Sequence, residues 1–585
     1  MTEPTELSPA EEASERALTA VREAIEKSNS FKLEAGAGAG KTYSLVKALQ
    51  FLIKREGERL PRLNQRIACI TFTNVAKEEI KARTDRSPLI HCDTIHAFCW
   101  SVISGFQSQL RVHLQELEGW SSDPWEERLK EAGGPGSRRI EYSLGYRGIT
   151  DEAISIHHND VLPLTIRLLG YEKFRNIFRY RYPVILIDEY QDTNADWIAA
   201  IREHFFGKGG PPLFGFFGDH WQKIYGDGCG ELVDTTITEI GKQANFRSAS
   251  AVVDCLNRMR PELKQFVLDP DVRGEVRIFH TNEWPGIRLK GPHYGGDLPD
   301  DAANNTISEV KSRLTKAGWD LSAERTKILM LTHRALGKQQ GYSSLASVFR
   351  DNNSFTKKEQ AHIAFFVDHL EPACRAFAAK RYGEMFAALG ASKSYLLKAA
   401  DKKDWSDSMT RLLEIRQTGT VADVVAHLRE FRIPRLADAV EKIELRLETF
   451  DPSDGEEMPR SLMEVRKLHD IPYQEIISVT NYLEGHSPFE TKHGVKGAEF
   501  ENVLVIVGRG WNKYNFGKML ENVPKQDTLS EKDRATFENN RNLFYVACSR
   551  PKRRLALLFT QQLSPGALNT VESWFEKQNI ESVVE

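Results

Sequence analysis

The chain has 585 residues, with Lys+Arg 79 against Asp+Glu 82 and a formal net charge of -3. That length implies several hydrophobic cores, roughly three or four domains, and the near-neutral balance excludes a basic nucleic-acid coat, so any nucleic-acid affinity has to come from a local groove. The seven cysteines form no CxxC pair and no cluster with metal-ligand spacing, and no apolar stretch approaches membrane-spanning length, so the expectation is a reduced cytoplasmic protein with neither export signal nor membrane partner.

In chain order, residues 1–26 are acidic and Ala/Glu-rich. From Ser30 onward short apolar runs alternate with amphipathic helical patterns, which predicts an α/β fold with parallel sheets flanked by helices. Strands are expected at 31–34, 67–71, 184–187 and 213–217. The polar stretch 101–181 between the second and third of these is too long for a loop and predicts an inserted subdomain. After Arg260 a second series begins, with strands expected at 276–279, 328–332, 503–507 and 555–559. It is interrupted by 341–487, where Val424, Leu428 and Phe431, then Leu436, Val440, Ile443 and Leu447, follow helical spacing on either side of a stop at Ile433-Pro434.

Residues 34–42 read EAGAGAGKT, between an expected strand and a helix whose apolar face is Leu45, Leu49 and Leu52. This is a phosphate-binding loop in its required context. Small residues at Ala35, Gly36, Ala37, Gly38, Ala39 and Gly40 let backbone N–H groups converge on phosphate oxygens, Lys41 reaches the terminal phosphates, and Thr42 is suited to ligate magnesium. ATP and Mg2+ are the implied substrate and cofactor. In the strict pattern GxxxxGK[ST] the first glycine is here Ala35.

The run 184–187 delivers Asp188 and Glu189 to a strand's carboxyl end, where a doubly wound sheet brings ligands. Asp188 is expected to hold the metal through water and Glu189 to orient or deprotonate the attacking water. An acidic pair after a strand is common in turns; the full DEYQDTN at 188–194 is far more specific.

Together these motifs resemble the UvrD/Rep/PcrA-type superfamily 1 DNA helicases. DEYQDTN resembles the family's motif II and AGAGAGKT its motif I, and the others follow in the family's order: ITFTNVA (70–76), TIHAF (94–98), GDHWQKIYG (218–226), NFRS (245–248), TKHGVKGAEF (491–500) and LFYVACSR (543–550). The resemblance implies two RecA-like domains, each carrying an inserted, mainly helical subdomain. The first would span 1–100 and 182–260 around an insertion at 101–181; the second would span 261–340 and 488–585 around a helical accessory insertion at 341–487. It further implies that Gln222 senses the terminal phosphate, that Arg247 and Arg550 supply charge across a cleft, that Phe246 stacks on adenine, and that Glu499 contacts the ribose. Taken singly, each of these would read as an ordinary surface or core residue.

For single-stranded or tailed duplex DNA, the resemblance points to Phe72, Thr94, His96, Tyr225 and His493 as contacts, combining aromatic faces with backbone donors. The chain departs from the family after Gly226, where Asp227, Gly228, Cys229 and Gly230 replace an aromatic residue and an arginine, and in lacking a glutamine over 7–25 to read the adenine edge. Two activities follow as expectations. One is a 3′ to 5′ ATP-dependent helicase or translocase. The other is a DNA-stimulated ATPase regulating a separate nuclease subunit, as in the UvrD-like subunit of Gabija-type antiphage systems. Too few residues follow Arg550 for a nuclease fused at the C-terminus, so any nuclease is expected as a separate chain. A single-core P-loop kinase or GTPase would need neither NFRS nor LFYVACSR.

Overall fold

In the computed structural model, which describes residues 7–142, 147–224, 226–291, 294–330, 341–349, 353–356, 358–390, 398–450, 457–484, 489–491, 498–508 and 514–583, the apolar runs form two parallel sheets. The first contains β1 (Phe31–Ala35), β2 (Ile67–Thr71) and β3 (Ile90–Thr94). A separate three-stranded sheet follows, made of β4 (Arg139–Tyr142), β5 (Gly148–Ile149) and β6 (Ala153–Ile156). The first sheet then resumes with β7 (Val184–Asp188), β8 (Leu213–Gly218) and β9 (Thr238–Lys242). Its order is β3-β2-β7-β8-β1-β9 with every pair parallel.

A two-stranded link of β10 (Ala244–Asn245) and β11 (Phe266–Val267) leads to the second sheet. That sheet is built from β12 (Glu275–His280), β13 (Thr326–Met330), β14 (Phe489–Thr491), β15 (Phe500–Val507), β16 (Pro551–Phe559) and β17 (Ile580–Ser582), in the order β14-β13-β15-β16-β12-β17, again all parallel. The chain is therefore α/β with two RecA-like parallel-sheet domains.

Strand alternation decides which core each side chain enters. On one face of the first sheet, Leu33 and Cys69 pack with Leu45, Leu49 and Val21 of the flanking helices. On the other face, Ile70, Ile187 and Phe216 pack with Trp120, Leu164 and Leu168, so the segment 101–181 shares a core with the sheet it interrupts. In the second sheet, Ile328, Leu504 and Leu558 face the helices of the second insertion, including Leu345, Leu428 and Val479. Leu329, Val503 and Leu557 point the other way, into a core that also takes in Ala37 and Trp221 from the first half of the chain. The two halves thus meet along an apolar seam.

In the two large sheets β3, β9, β14 and β17 escape the apolar-run rule. β3 reads IHCDT and alternates, because only one of its faces is fully covered. β9 and β17 are sheet edges, the first with exposed positions and the second half-buried throughout. The strand expected at 328–332 starts earlier, at Thr326, and its last two expected positions lie outside the described residues. Among the described residues no helix is long and apolar enough to cross a membrane.

Candidate nucleotide site and nucleic-acid groove

β1 ends at Ala35, and the loop to the helix Lys41–Glu56 turns twice through left-handed backbone, Gly38 at φ +74 and Gly40 at φ +72. Both turns favour glycine, and Gly38 is doubly constrained: a Cβ there would lie 2.8 Å from Arg247 Cβ and 2.8 Å from Asn245 Oδ1. The close approach has a cause. Asn245 Nδ2 donates to the Ala37 carbonyl at 3.1 Å, and the Phe246 N–H donates to the Gly38 carbonyl at 2.9 Å, bolting the NFRS segment to the phosphate loop.

Lys41 Nζ is buried and makes no hydrogen bond among the described residues; its ion partner is Glu189 Oε2 at 3.3 Å. Glu189 reaches it from a strained backbone, φ +48 on a non-glycine residue directly after β7. Gln191 Nε2 donates to Glu189 Oε2 at 2.5 Å and so fixes that carboxylate. Asp188, which ends β7, is buried.

Two guanidinium groups come from NFRS and from LFYVACSR, those of Arg247 and Arg550. Arg550 is 1% exposed; it donates to the Val546 carbonyl at 2.9 Å and, through Nη2, to Gln222 Oε1 at 3.3 Å. Gln222 in turn donates to Asp219 Oδ2 at 2.7 Å. Burial, reinforced by Arg247, pushes the Arg550 pKa down to about 9, so it stays cationic at neutral pH but in an environment that favours a nearby anion. Arg247 donates to Glu499 Oε1 at 3.0 Å and to the Ser549 carbonyl at 3.1 Å. Burial raises the Glu499 carboxyl, but Arg247 and Lys552 more than offset that, and its pKa is lowered.

The residues fit a nucleotide triphosphate. A buried ammonium without a hydrogen-bond acceptor, a glycine cradle and two guanidinium groups all invite phosphate oxygens. Thr42 at the helix start and Asp188 at the end of β7 are the oxygen donors suited to magnesium. Phe246 is 37% exposed at the mouth, and Lys242 Nζ lies 5.7 Å from both the Phe246 and Tyr43 ring centroids.

Beneath the loop lies a network the motifs did not announce. Glu34 Oε1 accepts from His220 Nδ1 at 2.7 Å and from Arg260 Nη2 at 3.0 Å, while Glu34 Oε2 accepts from the Tyr190 hydroxyl at 2.7 Å. Arg260, 2% exposed, also donates to Asp219 Oδ1 at 2.5 Å. Burial pushes the Glu34 pKa up, but His220, Arg260 and Tyr190 outweigh it and hold the carboxyl far below its ordinary range. The set Glu34, Asp219 and His220 has metal-ligand spacing, yet the Arg260 guanidinium already occupies the centre of its charge. Another seam was equally silent: Asn542 Nδ2 donates to the carbonyls of His220 at 3.0 Å and Lys223 at 3.2 Å.

Of the expected DNA contacts, Phe72, Thr94 and His96 line one groove of about 860 Å³ on the first half. Phe72 is 39% exposed. Tyr225 and His493 lie outside the described residues. The departure after Gly226 has a physical form. The Cys229 N–H donates to the Thr193 carbonyl at 2.8 Å and the Gly230 N–H to the Gln191 carbonyl at 3.0 Å, and a Cβ on Gly228 would sit 2.4 Å from the Gln191 carbonyl oxygen. This stretch is clamped onto DEYQDTN and has no room to project a ring at Gly228.

The "AAA domain" family matches residues 17–227, the segment that carries the phosphate loop, DEYQDTN and GDHWQKIYG. That domain is found in UvrD-like helicases. The Gabija protein GajB of Bacillus cereus (strain HuB5-5) is 22% identical over 686 aligned positions, covering 94% of this chain and 96% of that one. The chain is similar to the UvrD-like helicases. At the coarse level it is a helicase-like ATPase.

Proposed function

We propose that this UvrD-like chain is an ATP-driven translocase on single-stranded DNA, moving 3′ to 5′ and able to unwind a tailed duplex. The observation that carries the reading is the Arg550 to Gln222 hydrogen bond at 3.3 Å, which joins the second sheet's half to the first beside the phosphate loop. Charge supplied across a cleft makes hydrolysis depend on closure, and closure is the movement.

In this reading Lys41 and the backbone of residues 35–40 hold the phosphates. Thr42 and Asp188 hold magnesium, which would neutralise charge between the terminal phosphates. Glu189 orients and deprotonates the attacking water, Gln222 senses the terminal phosphate, Arg247 and Arg550 stabilise the charge that develops on the transferred group, Phe246 stacks on the base, and Glu499 accepts from the ribose. Phe72, Thr94 and His96, with Tyr225 and His493, track the strand. The domain division follows the same lines, 1–100 with 182 onward, then 261–340 with 488–585, around insertions at 101–181 and 341–487. The helix Ser250–Met259 buries Val252, Cys255 and Leu256 in the second sheet's core, so we draw the changeover within NFRS, ahead of the boundary expected at 260.

A second reading is a DNA-stimulated ATPase that regulates a separate nuclease in a Gabija-type antiphage system. The likeness to the Gabija protein GajB favours it, as does the clamped segment 227–230, which lacks the ring that would help grip a moving strand. ATP turnover measured with and without single-stranded DNA, alongside strand displacement from a tailed duplex, separates the two. Stimulated turnover with displacement supports the translocase, stimulated turnover without displacement supports the regulator, and turnover indifferent to DNA removes both.

A further inference from the structure

The inserted segment 101–181 brings aromatic rings to the groove that holds Phe72. The His96 ring, at the start of the helix Ile95–Ile103, stacks on that of His158, at the start of the helix His158–Leu169, with centroids 3.5 Å apart and planes at 27°. Tyr142, at the end of β4, holds its hydroxyl 2.7 Å from His158 Nδ1, and Trp100 backs Tyr142 with centroids at 5.9 Å. Four rings from three elements therefore form one ledge. Burial and His158 push the His96 pKa down to about 4, and burial lowers that of His158, which favours the neutral rings that can lie face to face.

The remaining lining decides what the ledge receives. Asp93, Asp192, Asp196 and Asp227 all face this groove. The one Lys or Arg among its described lining residues, Lys77, is tied to Asp93 at 2.7 Å. Such a wall repels phosphates and offers no net positive track. Uncharged bases carry no such penalty, and they find ring faces there. A plain structural role, pinning the insertion to the sheet, would explain the His96–His158 contact but not why the ledge opens on the same groove as exposed Phe72.

We propose that His158 and Tyr142 of the inserted segment, with His96, form a base-stacking ledge for unpaired nucleobases, the strand lying bases inward and phosphates outward. This rests on the reading of the chain as a single-strand DNA motor and extends its strand path onto the insertion. Recognition here is indifferent to sequence, since every base offers a ring face.

The test uses the full chain and a labelled oligothymidylate followed by fluorescence anisotropy. His158→Ala is expected to weaken binding about tenfold, with DNA-independent ATP turnover within about twofold of the parent, and His158→Phe to restore most of the affinity. Independently, a 5-iodouracil-substituted strand irradiated on the unaltered protein is expected to give adducts at Tyr142 or His158, a result that does not depend on any variant folding. Unchanged affinity in His158→Ala while Phe72→Ala weakens binding would overturn the ledge and leave the DNA motor standing; adducts elsewhere but never on Tyr142, His158 or His96 would do the same. If the unaltered protein binds no oligonucleotide and its turnover ignores DNA, the motor reading falls and the ledge with it.

Discussion

The Arg541 guanidinium lies 3.9 Å from the centroid of the Trp221 ring, so a cation from the helix Glu531–Cys548 rests on an aromatic face inside GDHWQKIYG. Arg260 approaches the same ring at 5.4 Å, and Tyr545 meets it edge-on at 5.3 Å. Trp221 is thereby held by three side chains that follow NFRS in the chain, one residue before Gln222. Burial lowers the Arg541 pKa, and the ring face partly replaces the water that this cation gives up.

Arg541→Ala is therefore expected to disturb the position of Gln222 without touching nucleotide. A desolvated cation–π contact contributes about 2 kcal/mol, so kcat for ATP should fall roughly tenfold to thirtyfold while the nucleotide dissociation constant stays within about twofold. Steady-state kinetics beside equilibrium nucleotide binding separates the two. An equal loss in both would mean that Arg541 merely supports the fold.

Lys41→Ala removes the buried ammonium that faces Glu189. Hydrolysis should drop by a factor of about 100 or more, the scale of losing one preorganised charge contact to a developing anion. Affinity for an oligothymidylate should persist, since the groove of Phe72 and His96 lies apart from the phosphate loop. Turnover near the parent level would contradict the phosphate-site assignment.

What could be read from the residues alone was whatever obeys a local rule. The phosphate loop is legible because GKT has to follow a strand, and β7 because an apolar run ends in Asp188 and Glu189. The strands at 67–71 and 503–507 are legible because both faces of their sheets are covered. β3 is not, since the polar, half-buried His91 and Asp93 interrupt its apolar run. Nor is the Glu34, Arg260 and Asp219 network, whose members lie far apart in sequence and meet only when β1 and β8 pair in parallel. The His96–His158 stack is hidden for the same reason: it joins the helix that follows β3 to an insertion, and no local spacing encodes it.

In the second insertion, Glu444 sits between two imidazoles. His362 Nε2 is 2.6 Å and His469 Nε2 3.0 Å from Glu444 Oε1. Gln360 Oε1 accepts from the Ile363 N–H, which turns its amide nitrogen toward His362 Nδ1 and leaves His362 Nε2–H to donate to the carboxylate. This wiring uses the nitrogen a metal would need, so the trio is a hydrogen-bonded clasp joining three helices. Burial raises the Glu444 carboxyl, but the bonds from His362 and His469 override it and lower its pKa from 4.5 to about 2.

A depressed carboxylate stabilises the fold fully above its unfolded value and loses that contribution as pH falls through the folded one. Chemical denaturation of the parent should therefore lose up to about 3 kcal/mol from this group between pH 4.5 and about 2. Glu444→Gln should be less stable at neutral pH and show a shallower decline over that window. Parallel declines for parent and variant would remove Glu444 from the acid response.

Arg550 offers the sharpest test of the two-sided site. Its side chain is enclosed, with Nε committed to the Val546 carbonyl and Nη2 to Ser549 Oγ and Gln222. Arg550→Ala should reduce kcat by a factor of about 1,000 or more, the range seen for guanidinium groups that stabilise a transferring phosphoryl group. Arg550→Lys should rescue little, because a point charge on a flexible stem does not reproduce a planar fork held at three points. Nucleotide should still bind, gripped by Lys41 and the glycine cradle. Binding lost together with turnover would mean that Arg550 secures the ground state; turnover retained in Arg550→Ala would leave hydrolysis to the first half of the chain alone and remove the coupling between the two sheets.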